Sequence, residues 1–404
     1  MRVGVVGGGI IGLAAAEALS RRGAAVTIFD RSGPGGGQSG GLTRIFRHLH
    51  RSDAQTRLAV DARLAWRELE RRSGRRLVGA EGVLVAGGDL DLALERLVRA
   101  GAPAELVDGR HVERLLPILG RDAGPAVLDA DGGAIRVRRA LECLEGLLPG
   151  GAIARQEVFG VSPGGSGASV EATEGSLRFD HVVVAAGAET ARFAAGLGIE
   201  LPERRGVHPR LMFDVGDGSV GLPCYVDRTA AHGESAYAGP VGSSPRYVVG
   251  LSAGETLPLG AGETTLGGGD DFDELYARTV AYVRRAMPGL DPDPVAFRLC
   301  HVTALTGDSD AFGVWEREAV TVFAGHNVMK FAPLIGESLA RLIVDGESDA
   351  GLPRFGAPDA SQPVDASNAA GPHADRSHAA GADRDPRESA AGSGDRRGSA
   401  LGGG

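Results

Sequence analysis

Three glycines near the N-terminus have the spacing of a turn that can bind a pyrophosphate. Gly7, Gly9 and Gly12 follow the apolar run Arg2–Val6 and precede an Ala/Leu-rich segment. Because glycine has no side chain, the backbone can approach phosphate oxygens closely, and the N–H groups at a helix N-terminus meet their charge. The pattern predicts a strand, a tight turn and a helix that bind a dinucleotide.

An acidic residue at the end of the next apolar run supports this prediction. The run Ala25–Phe29 ends on Asp30, whose carboxylate would accept hydrogen bonds from ribose hydroxyls. A G-x-G-x-x-G pattern alone is weak in a glycine-rich chain, but here the strand, helix and acid all accompany it. The predicted dinucleotide contacts in this unit are Gly7, Gly9, Ile10, Ile11, Gly12, Asp30 and Arg31.

A single lysine is the second candidate for chemistry. Of 43 basic residues, 42 are arginine and only Lys330 is lysine. A compositional bias toward arginine this strong would replace a lysine unless its compact ammonium were needed. Lys330 is therefore a candidate ligand for an anionic group, although it could also remain by chance on a solvated turn.

The overall charge and the cysteines exclude several classes of function. The 404 residues carry a formal charge of −9, and no Lys/Arg-rich run suggests binding to nucleic acid or an anionic membrane. No stretch is apolar enough for a membrane span. Cys143, Cys224 and Cys300 are far apart and lack the spacing of a zinc site, so we expect no metal and a reducing cytoplasm.

The elements that must position these residues lie at both ends of the chain. The runs His181–Ala188 and Ala319–Phe323 are largely apolar, as central strands of a parallel sheet are. Because such strands occur early, midway and late, we expect an α/β fold whose Rossmann-like nucleotide-binding domain is discontinuous. The predicted segments are 1–77, 135–205 and 300–352 for this domain, 78–134 and 206–299 for a mixed-sheet substrate lobe, and 356–404 for a disordered tail.

Periodicity predicts further elements within these segments. Helical spacing covers Asp53–Arg72, Leu90–Arg99 and Asp271–Met287, and a last helix is expected over Leu334–Val344. Alternating apolar residues over Ala152–Val161 predict a strand hairpin.

Several motifs together resemble a known family. The glycine turn, the basic segment Thr43–His48, the run Val183–Ala188 and the pair Lys330–Phe331 with Gly336–Glu337 resemble the D-amino-acid-oxidase superfamily. The monomeric sarcosine oxidase and N-methyltryptophan oxidase group is the most similar, over most of residues 1–350. The resemblance implies FAD as cofactor, bound across the discontinuous domain.

The resemblance also implies particular FAD contacts outside the glycine turn. They are Thr43, Arg44, Val158, Gly187, Cys300 and Lys330. In the group, a cysteine at the place of Cys300 bonds covalently to the flavin, and nearby Arg298 could favour its thiolate. The alternative is that Cys300 is a small buried thiol in the core.

The substrate residues are likewise implied by the resemblance. Arg47 and Lys330 match family cations that hold a substrate carboxylate, a role that suits guanidinium geometry. Tyr237 matches a tyrosine of the substrate pocket, although it could equally be an ordinary strand aromatic. These three residues are the predicted catalytic set.

Three departures from the family put the electron acceptor in doubt. Val248 stands where the family has a lysine that promotes reaction with oxygen, and Ser252 and Asn327 stand where it has histidines. Arg246 shares a strand face with Val248 and could partly replace the lost charge. We therefore expect either oxygen or another electron carrier as acceptor.

The activity implied is FAD-dependent oxidation of the C–N bond of a small amino acid or N-substituted amino acid to an imine. A related possibility is oxidation of a tailored or carrier-bound amino acid. The alternative from another class is a noncatalytic or partner-dependent flavin-binding subunit of an amine dehydrogenase complex.

Overall fold

The computed structural model describes residues 1–121, 123–252, 256–259, 270–305, 310–347 and 354–355, the last pair by backbone only. Within these ranges the α-helices are α1 Ile10–Arg21, α2 Asp53–Ser73, α3 Leu90–Ala100, α4 Gly109–Leu115, α5 Val137–Gly146, α6 Thr190–Gly196, α7 Asp270–Ala286 and α8 Ala332–Ala340.

The strands in the same ranges are β1 Arg2–Val6, β2 Ala25–Phe29, β3 Thr43–Phe46, β4 Val83–Ala86, β5 Ala104–Val107, β6 Ala126–Asp129, β7 Gly133–Arg136, β8 Ile153–Ala154, β9 Val158–Gly164, β10 Gly167–Ala172, β11 Gly175–Phe179, β12 His181–Val184, β13 Glu203–Asp214, β14 Cys224–Asp227, β15 Ala236–Pro240, β16 Arg246–Leu251, β17 Leu257–Pro258, β18 Ala296–Leu305, β19 Phe312–Arg317, β20 Val320–Gly325 and β21 Arg354–Phe355.

The nucleotide-binding sheet draws strands from distant parts of the chain. Its order among the described strands is β21-β19-β20-β12-β1-β2-β8. The core strands β20, β12, β1 and β2 are parallel, and β19 is antiparallel to β20. The discontinuous Rossmann-like domain that the sequence predicts is thus confirmed, whereas its exact boundaries remain a prediction.

Close helix packing joins the two ends of this domain. A Cβ at Gly336 of α8 would lie 2.5 Å from the carbonyl oxygen of Ala14 in α1, so only glycine allows the two helices to approach this closely. The apolar face of α2 completes this layer, where the indole Nε1 of Trp66 donates to the carbonyl oxygen of Lys330 at 2.8 Å. The segment that carries Lys330 is thereby anchored to the nucleotide-binding domain.

The second sheet is mixed and matches the expected substrate lobe. Its described order is β17-β13-β16-β15-β14-β4-β6-β5, and β18 pairs with β13. The pairing is antiparallel except between β14 and β4. Helix α7 packs its buried face, which includes Leu275 and Tyr282, into the apolar core of this lobe.

Helix boundaries follow local signals. Ser52 caps α2 by accepting a hydrogen bond from the backbone N–H of Gln55, and Gly74, with φ of 65°, ends the helix in the left-handed region. Asp89 caps α3 in the same way. The predicted helices over these segments are therefore confirmed to within one or two residues.

Two expectations need correction. The predicted hairpin over Ala152–Val161 is wrong, because β8 pairs with β2 while β9 pairs with β10. The predicted last helix starts earlier, at Ala332, and passes into a π-helical turn over Arg341–Asp345. The predicted disordered tail, 356–404, lies outside the described residues.

In the part of the chain that the structure describes, none of the helices combines the length and the apolar character needed to cross a membrane.

Candidate active site

A cavity of about 640 Å³ is lined by residues of both sheets. The glycine turn after β1 and the residues around β20 form one part of its wall, and strands β13, β15 and β18 of the mixed sheet form another. Ligands of open α/β sheets bind at the carboxyl ends of the strands. The cavity lies at this end of β1, since Gly7 and Gly9 directly after the strand line it. Eleven residues predicted from the sequence line it: Gly7, Gly9, Ile10, Ile11, Asp30, Arg44, Arg47, Gly187, Tyr237, Cys300 and Lys330.

The glycine turn has the backbone geometry that the motif predicts. Gly7 has φ of 109°, and a Cβ there would lie 2.4 Å from the carbonyl oxygen of Ala185. Gly9 precedes α1, whose N-terminus has no side-chain cap and lines the cavity. The backbone N–H of Ile10 donates to the hydroxyl of Ser39 at 2.8 Å. This open N-terminus suits an anionic group such as a pyrophosphate.

Asp30 is held at the edge of this turn. Its Oδ2 accepts from the N–H of Gly8 at 2.7 Å, and its Oδ1 accepts from the N–H of Ser32 at 2.9 Å. Each carboxylate oxygen has further lone pairs, so the acid can still accept from ribose hydroxyls. The residues present therefore fit the ADP half of a dinucleotide.

Four predicted cofactor residues do not line the cavity. Gly12 lies inside the turn, Arg31 pairs with Glu157 at the surface, Thr43 is buried on β3, and the Val158 side chain packs in the core beside the nucleotide-binding sheet. For these residues a direct contact with the cofactor remains a prediction.

The glycine-rich loop after Asp30 holds Arg44. Its guanidinium donates to the carbonyl oxygens of Thr43 and Gly40, both at 2.9 Å. Burial, together with the nearby charge of Arg210, lowers the pKa of Arg44 to about 10. Gln38 of the same loop donates to the carbonyl oxygen of His301 at 3.2 Å, which ties the loop to β18.

Cys300 reaches the cavity from β18. It is 7% exposed, its Sγ lies 3.9 Å from Nη2 of Arg44, and His208 is its cross-strand partner on β13. Arg44, rather than the Arg298 expected from the sequence, is thus the arginine that contacts the sulfur. Cys300 therefore lines the cavity that the predicted cofactor would occupy, and covalent attachment remains a prediction.

We expect FAD to stay with the protein after acid precipitation, because Cys300 would link it covalently. Precipitating the holoenzyme with trichloroacetic acid and measuring absorbance in pellet and supernatant checks this. Cys300→Ser should release the yellow colour, whereas the control Cys143→Ser, a change in the core of α5, should not. Release of the flavin from the unaltered protein would rule out the link.

Arg47 and Lys330 enter the cavity together with a carboxylate. The Nε of Arg47 donates to the carbonyl oxygen of Leu49 at 3.0 Å, which leaves its two terminal nitrogens for other partners. Lys330 is 5% exposed. Asp310 also lines this part of the cavity, where its Oδ1 accepts from the side-chain amide of Asn327 at 2.7 Å.

The charges of Arg47, Lys330 and Asp310 shift pKa values within this group. Burial, together with the charge of Arg47, lowers the pKa of Lys330 to about 7, and the charge of Asp310 opposes this shift. Burial also lowers the pKa of Arg47. Although burial raises the pKa of Asp310, the charge of Lys330, the bond from Asn327 and the charge of Arg47 keep it below its ordinary value. Asp310 therefore remains an anion among cations.

Tyr237 lies beside a further arginine. The Nε of Arg210 is 3.3 Å from the Tyr237 hydroxyl, and its guanidinium carbon lies 5.0 Å from the ring centre. Burial lowers the pKa of His208 to about 2 and that of His326 to about 4. Both imidazoles are therefore uncharged at neutral pH, and the positive charge in this region belongs to arginine and lysine.

The sequence analysis missed Asp310, Arg210 and Gln38 as cavity residues. Gln38 had a signal, since it is a long polar side chain inside a glycine-rich loop. For Arg210 the only signal was the alternation of residues along a strand. Asp310 lies in a polar stretch of sequence that contains no motif. The suggestion that Arg246 replaces the missing family lysine is wrong, because Arg246 is exposed and its Nε bonds Asp214 at 3.1 Å.

Two of the three departures from the family pattern line the cavity, and the third does not. Ser252 and Asn327 line the cavity, whereas Val248 is not among its lining residues. Asn327 has φ of 54°, a left-handed conformation that asparagine tolerates better than most residues.

Three solved structures share the architecture. NikD, described as an unusual amino acid oxidase essential for nikkomycin biosynthesis, superposes in its open form with a TM-score of 0.75 at 24% identity over 87% of this chain and 97% of its own. L-proline dehydrogenase from P. horikoshii has a TM-score of 0.73 at 19% identity, over 87% of this chain and 95% of its own. Glycine oxidase from Geobacillus kaustophilus has a TM-score of 0.69 at 21% identity, over 86% of this chain and 96% of its own. At these identities the likeness shows a common fold.

A family model decides the assignment. A search of curated proteins found no match. The model described as FAD dependent oxidoreductase, DAO, matches residues 2–342, which is most of the chain. The glycine turn, Asp30 and the cavity beside them fit the cofactor that this description names. The chain belongs to the family of FAD-dependent oxidoreductases.

Proposed function

We propose that the protein oxidises the C–N bond of a small amino acid or N-substituted amino acid to an imine. The observation that carries this proposal is the meeting of Arg47 and Lys330 in the cavity that the glycine turn also lines. Two cations beside a flavin site favour a substrate with a carboxylate next to the reacting carbon. The names of the three similar structures, an amino acid oxidase, a proline dehydrogenase and a glycine oxidase, agree with such a substrate.

In this proposal the chain supplies binding and orientation. FAD, when bound, supplies a two-electron acceptor. The turn from Gly7 to Gly12, with Asp30, would hold the ADP half, and Arg44, Gly187 and Cys300, which line the same cavity, would hold the rest of the cofactor. Arg47 and Lys330 hold the carboxylate, which fixes the orientation of the neighbouring C–H bond.

The charge state of the site supports a carboxylate rather than a cationic group at this point. His208 and His326 are uncharged at neutral pH, so they neither compete for the carboxylate nor add to its binding. The substrate amine has to lose its proton before oxidation, and the cations Arg47, Lys330 and Arg210 favour its neutral form.

The electron acceptor is proposed to be oxygen or a carrier. Val248, at the family's oxygen-activating position, carries no charge, while Arg210 lines the cavity and presents one. Readmitting oxygen to the reduced enzyme and timing the return of the flavin absorbance separates the two: slow return indicates a dehydrogenase that passes electrons to a carrier.

An anaerobic screen tests the proposed function. The purified holoenzyme is mixed with N-methyl and cyclic amino acids, and the flavin absorbance near 450 nm is followed. Loss of this absorbance with at least one compound is expected. If the flavin stays oxidised with every compound but is reduced once a partner protein is added, the chain is instead the partner-dependent subunit.

Carboxylate binding is expected to weaken as the pH rises through about 7. The binding form of Lys330 is the protonated one, and burial lowers its pKa to about 7, so its charge is complete below that pH and is lost above it. Linkage of one proton gives a dissociation constant for propionate that rises up to about tenfold per pH unit above 7. Titrating the holoenzyme with propionate by calorimetry between pH 6 and 9 measures this.

The neighbours of Lys330 do not produce this dependence. The pKa of His50 is held well below its ordinary value by burial and by the charge of Lys330, both of which oppose a charge on this imidazole. In Lys330→Met, propionate binding should be weak and flat with pH over this range. A slope that persists in that variant would assign the titration to another group.

A further inference from the structure

Two further arginines lie at the mouth of the cavity. Arg51 and Arg228 are exposed to solvent and also line the cavity, which places them where it opens. Neither guanidinium group has a hydrogen bond or an ion pair with another residue in the described part of the chain. Arg96, whose charge also acts on Arg228, is by contrast paired, since its Nε donates to Asp53 at 2.7 Å.

The backbone under both arginines is well anchored. Arg51 directly precedes the cap of α2, and the carbonyl oxygen of His50 accepts from Arg96 at 3.0 Å. The N–H of Arg228 donates to the carbonyl oxygen of Ala86 at 2.8 Å. The preceding buried Asp227 accepts from the Tyr282 hydroxyl, also at 2.8 Å. Two unpaired guanidinium groups thus project from fixed positions.

The charges at this end of the cavity do not balance. Burial lowers the pKa of Arg228, and the charges of Arg47 and Arg51 lower it further, so the three guanidinium groups act on one another. Of the described carboxylates that line the cavity, only Asp310 acts on the pKa of Arg47, Lys330 and Arg228. Among the described residues that line this end, three arginines and Lys330, whose pKa is about 7, therefore face one carboxylate, in a protein whose net charge is −9.

A substrate with one carboxylate would leave this imbalance largely in place. Arg47 and Lys330 would share that carboxylate, while Arg51 and Arg228 would still repel each other and the inner pair. An oxyanion group at the mouth would remove the repulsion, because guanidinium groups bind carboxylate and phosphate through paired hydrogen bonds.

We propose that Arg51 and Arg228 form a second anion subsite, so that the substrate is an amino acid with a second oxyanion group on its side chain or nitrogen substituent. This rests on the proposed function, in which Arg47 and Lys330 hold the first carboxylate. The subsite selects among amino acids and does not take part in the oxidation itself.

Matched acid and amide substrates test the subsite. Anaerobic stopped-flow reduction is measured with N-methylaspartate and N-methylasparagine, which differ only in side-chain charge, and with N-methylalanine. The flavin of the unaltered enzyme should be reduced at least about 30-fold more efficiently by the acid than by the amide. O-phospho-N-methylserine against N-methylserine shows whether phosphate is preferred to carboxylate.

Variants assign the preference to the two arginines. In the double variant Arg51→Gln with Arg228→Gln, the acid-to-amide ratio should fall to within about threefold of one. Arg57→Gln, a change of an exposed arginine on α2 outside the cavity lining, should keep the ratio. If the double variant does not fold, raising KCl from 0.05 to 0.5 M should still lower the ratio in the unaltered enzyme by screening.

A binding measurement separates failure of the subsite from failure of the proposed function. Calorimetry of the holoenzyme with succinate and with its half-amide, succinamate, needs no oxidation, and succinate should bind at least tenfold more tightly. If no amino acid reduces the flavin but this preference holds, the proposed function fails and the anion subsite stands. If N-methylalanine reduces the flavin while both the succinate preference and the acid-to-amide ratio are near one, the subsite is overturned.

Discussion

Lys330→Met is expected to lower kcat/KM for the amino-acid substrate by about 100-fold while FAD stays bound. Lys330 is almost fully buried in the cavity wall, and its ammonium is one of two inner cations proposed to hold the carboxylate. Truncating one partner of a buried charge pair costs about 2–5 kcal/mol. A loss of about 2.7 kcal/mol, within this range, lowers kcat/KM about 100-fold. Methionine is unbranched and nearly as long as lysine, so the wall should keep its packing.

Steady-state kinetics and the visible spectrum check this result. Most of the loss should appear in KM, because the carboxylate is held before and during oxidation, with a smaller loss in kcat from poorer orientation. Lys330→Arg should recover part of the loss by restoring the charge. Kinetics of Lys330→Met that match those of the unaltered enzyme would mean that the one lysine of the chain has no part in substrate binding.

Gly12→Ala is expected to yield protein with less than about a tenth of the normal FAD content. A Cβ at Gly12 would lie 1.9 Å from the carbonyl oxygen of Gly7, which is backbone and cannot rotate away. To relieve this overlap α1 must move away from the turn, and its open N-terminus would then no longer face the pyrophosphate. The loss therefore arises from backbone geometry rather than from a lost contact of Gly12 itself.

The flavin-to-protein absorbance ratio after purification measures this content, and circular dichroism shows whether the fold persists. Gly146→Ala is the matched control, because Gly146 lies in helix α5 with no atom within 4 Å of the added Cβ and no positive φ. This control should keep its FAD and gain slightly in helix stability. Full FAD content in Gly12→Ala would show that the turn tolerates the shift.

Much of the nucleotide-binding part could be predicted because its signals are local. The turn from Gly7 to Gly12 and its flanking elements lie within thirty consecutive residues that end at Asp30, and each element obeys a short-range rule. The capped helices α2 and α3 are similar cases. The hairpin predicted over Ala152–Val161 failed for the opposite reason: alternation shows that a segment is a strand, but its partner strand depends on the whole sheet.

The substrate end shows where such reasoning stops. Tyr237 and Cys300 lie in the cavity as expected. Their neighbours Arg210, Arg44 and His208 are known only from strand register and side-chain contacts between segments that are far apart in sequence. Arg246 illustrates the error that results, since a shared strand face did not bring it to the cavity. Asp310, Arg51 and Arg228 have no motif at all.

By itself, the sequence determined the dinucleotide turn, the discontinuous α/β class and the singular status of Lys330, because each follows from the order and the types of nearby residues. Only the tertiary structure decided which charges share one cavity. Arg47, Arg228, Asp310 and Lys330 come from segments separated by up to 283 positions, and Coulomb energy depends on distance in space and on burial, neither of which the order of residues contains.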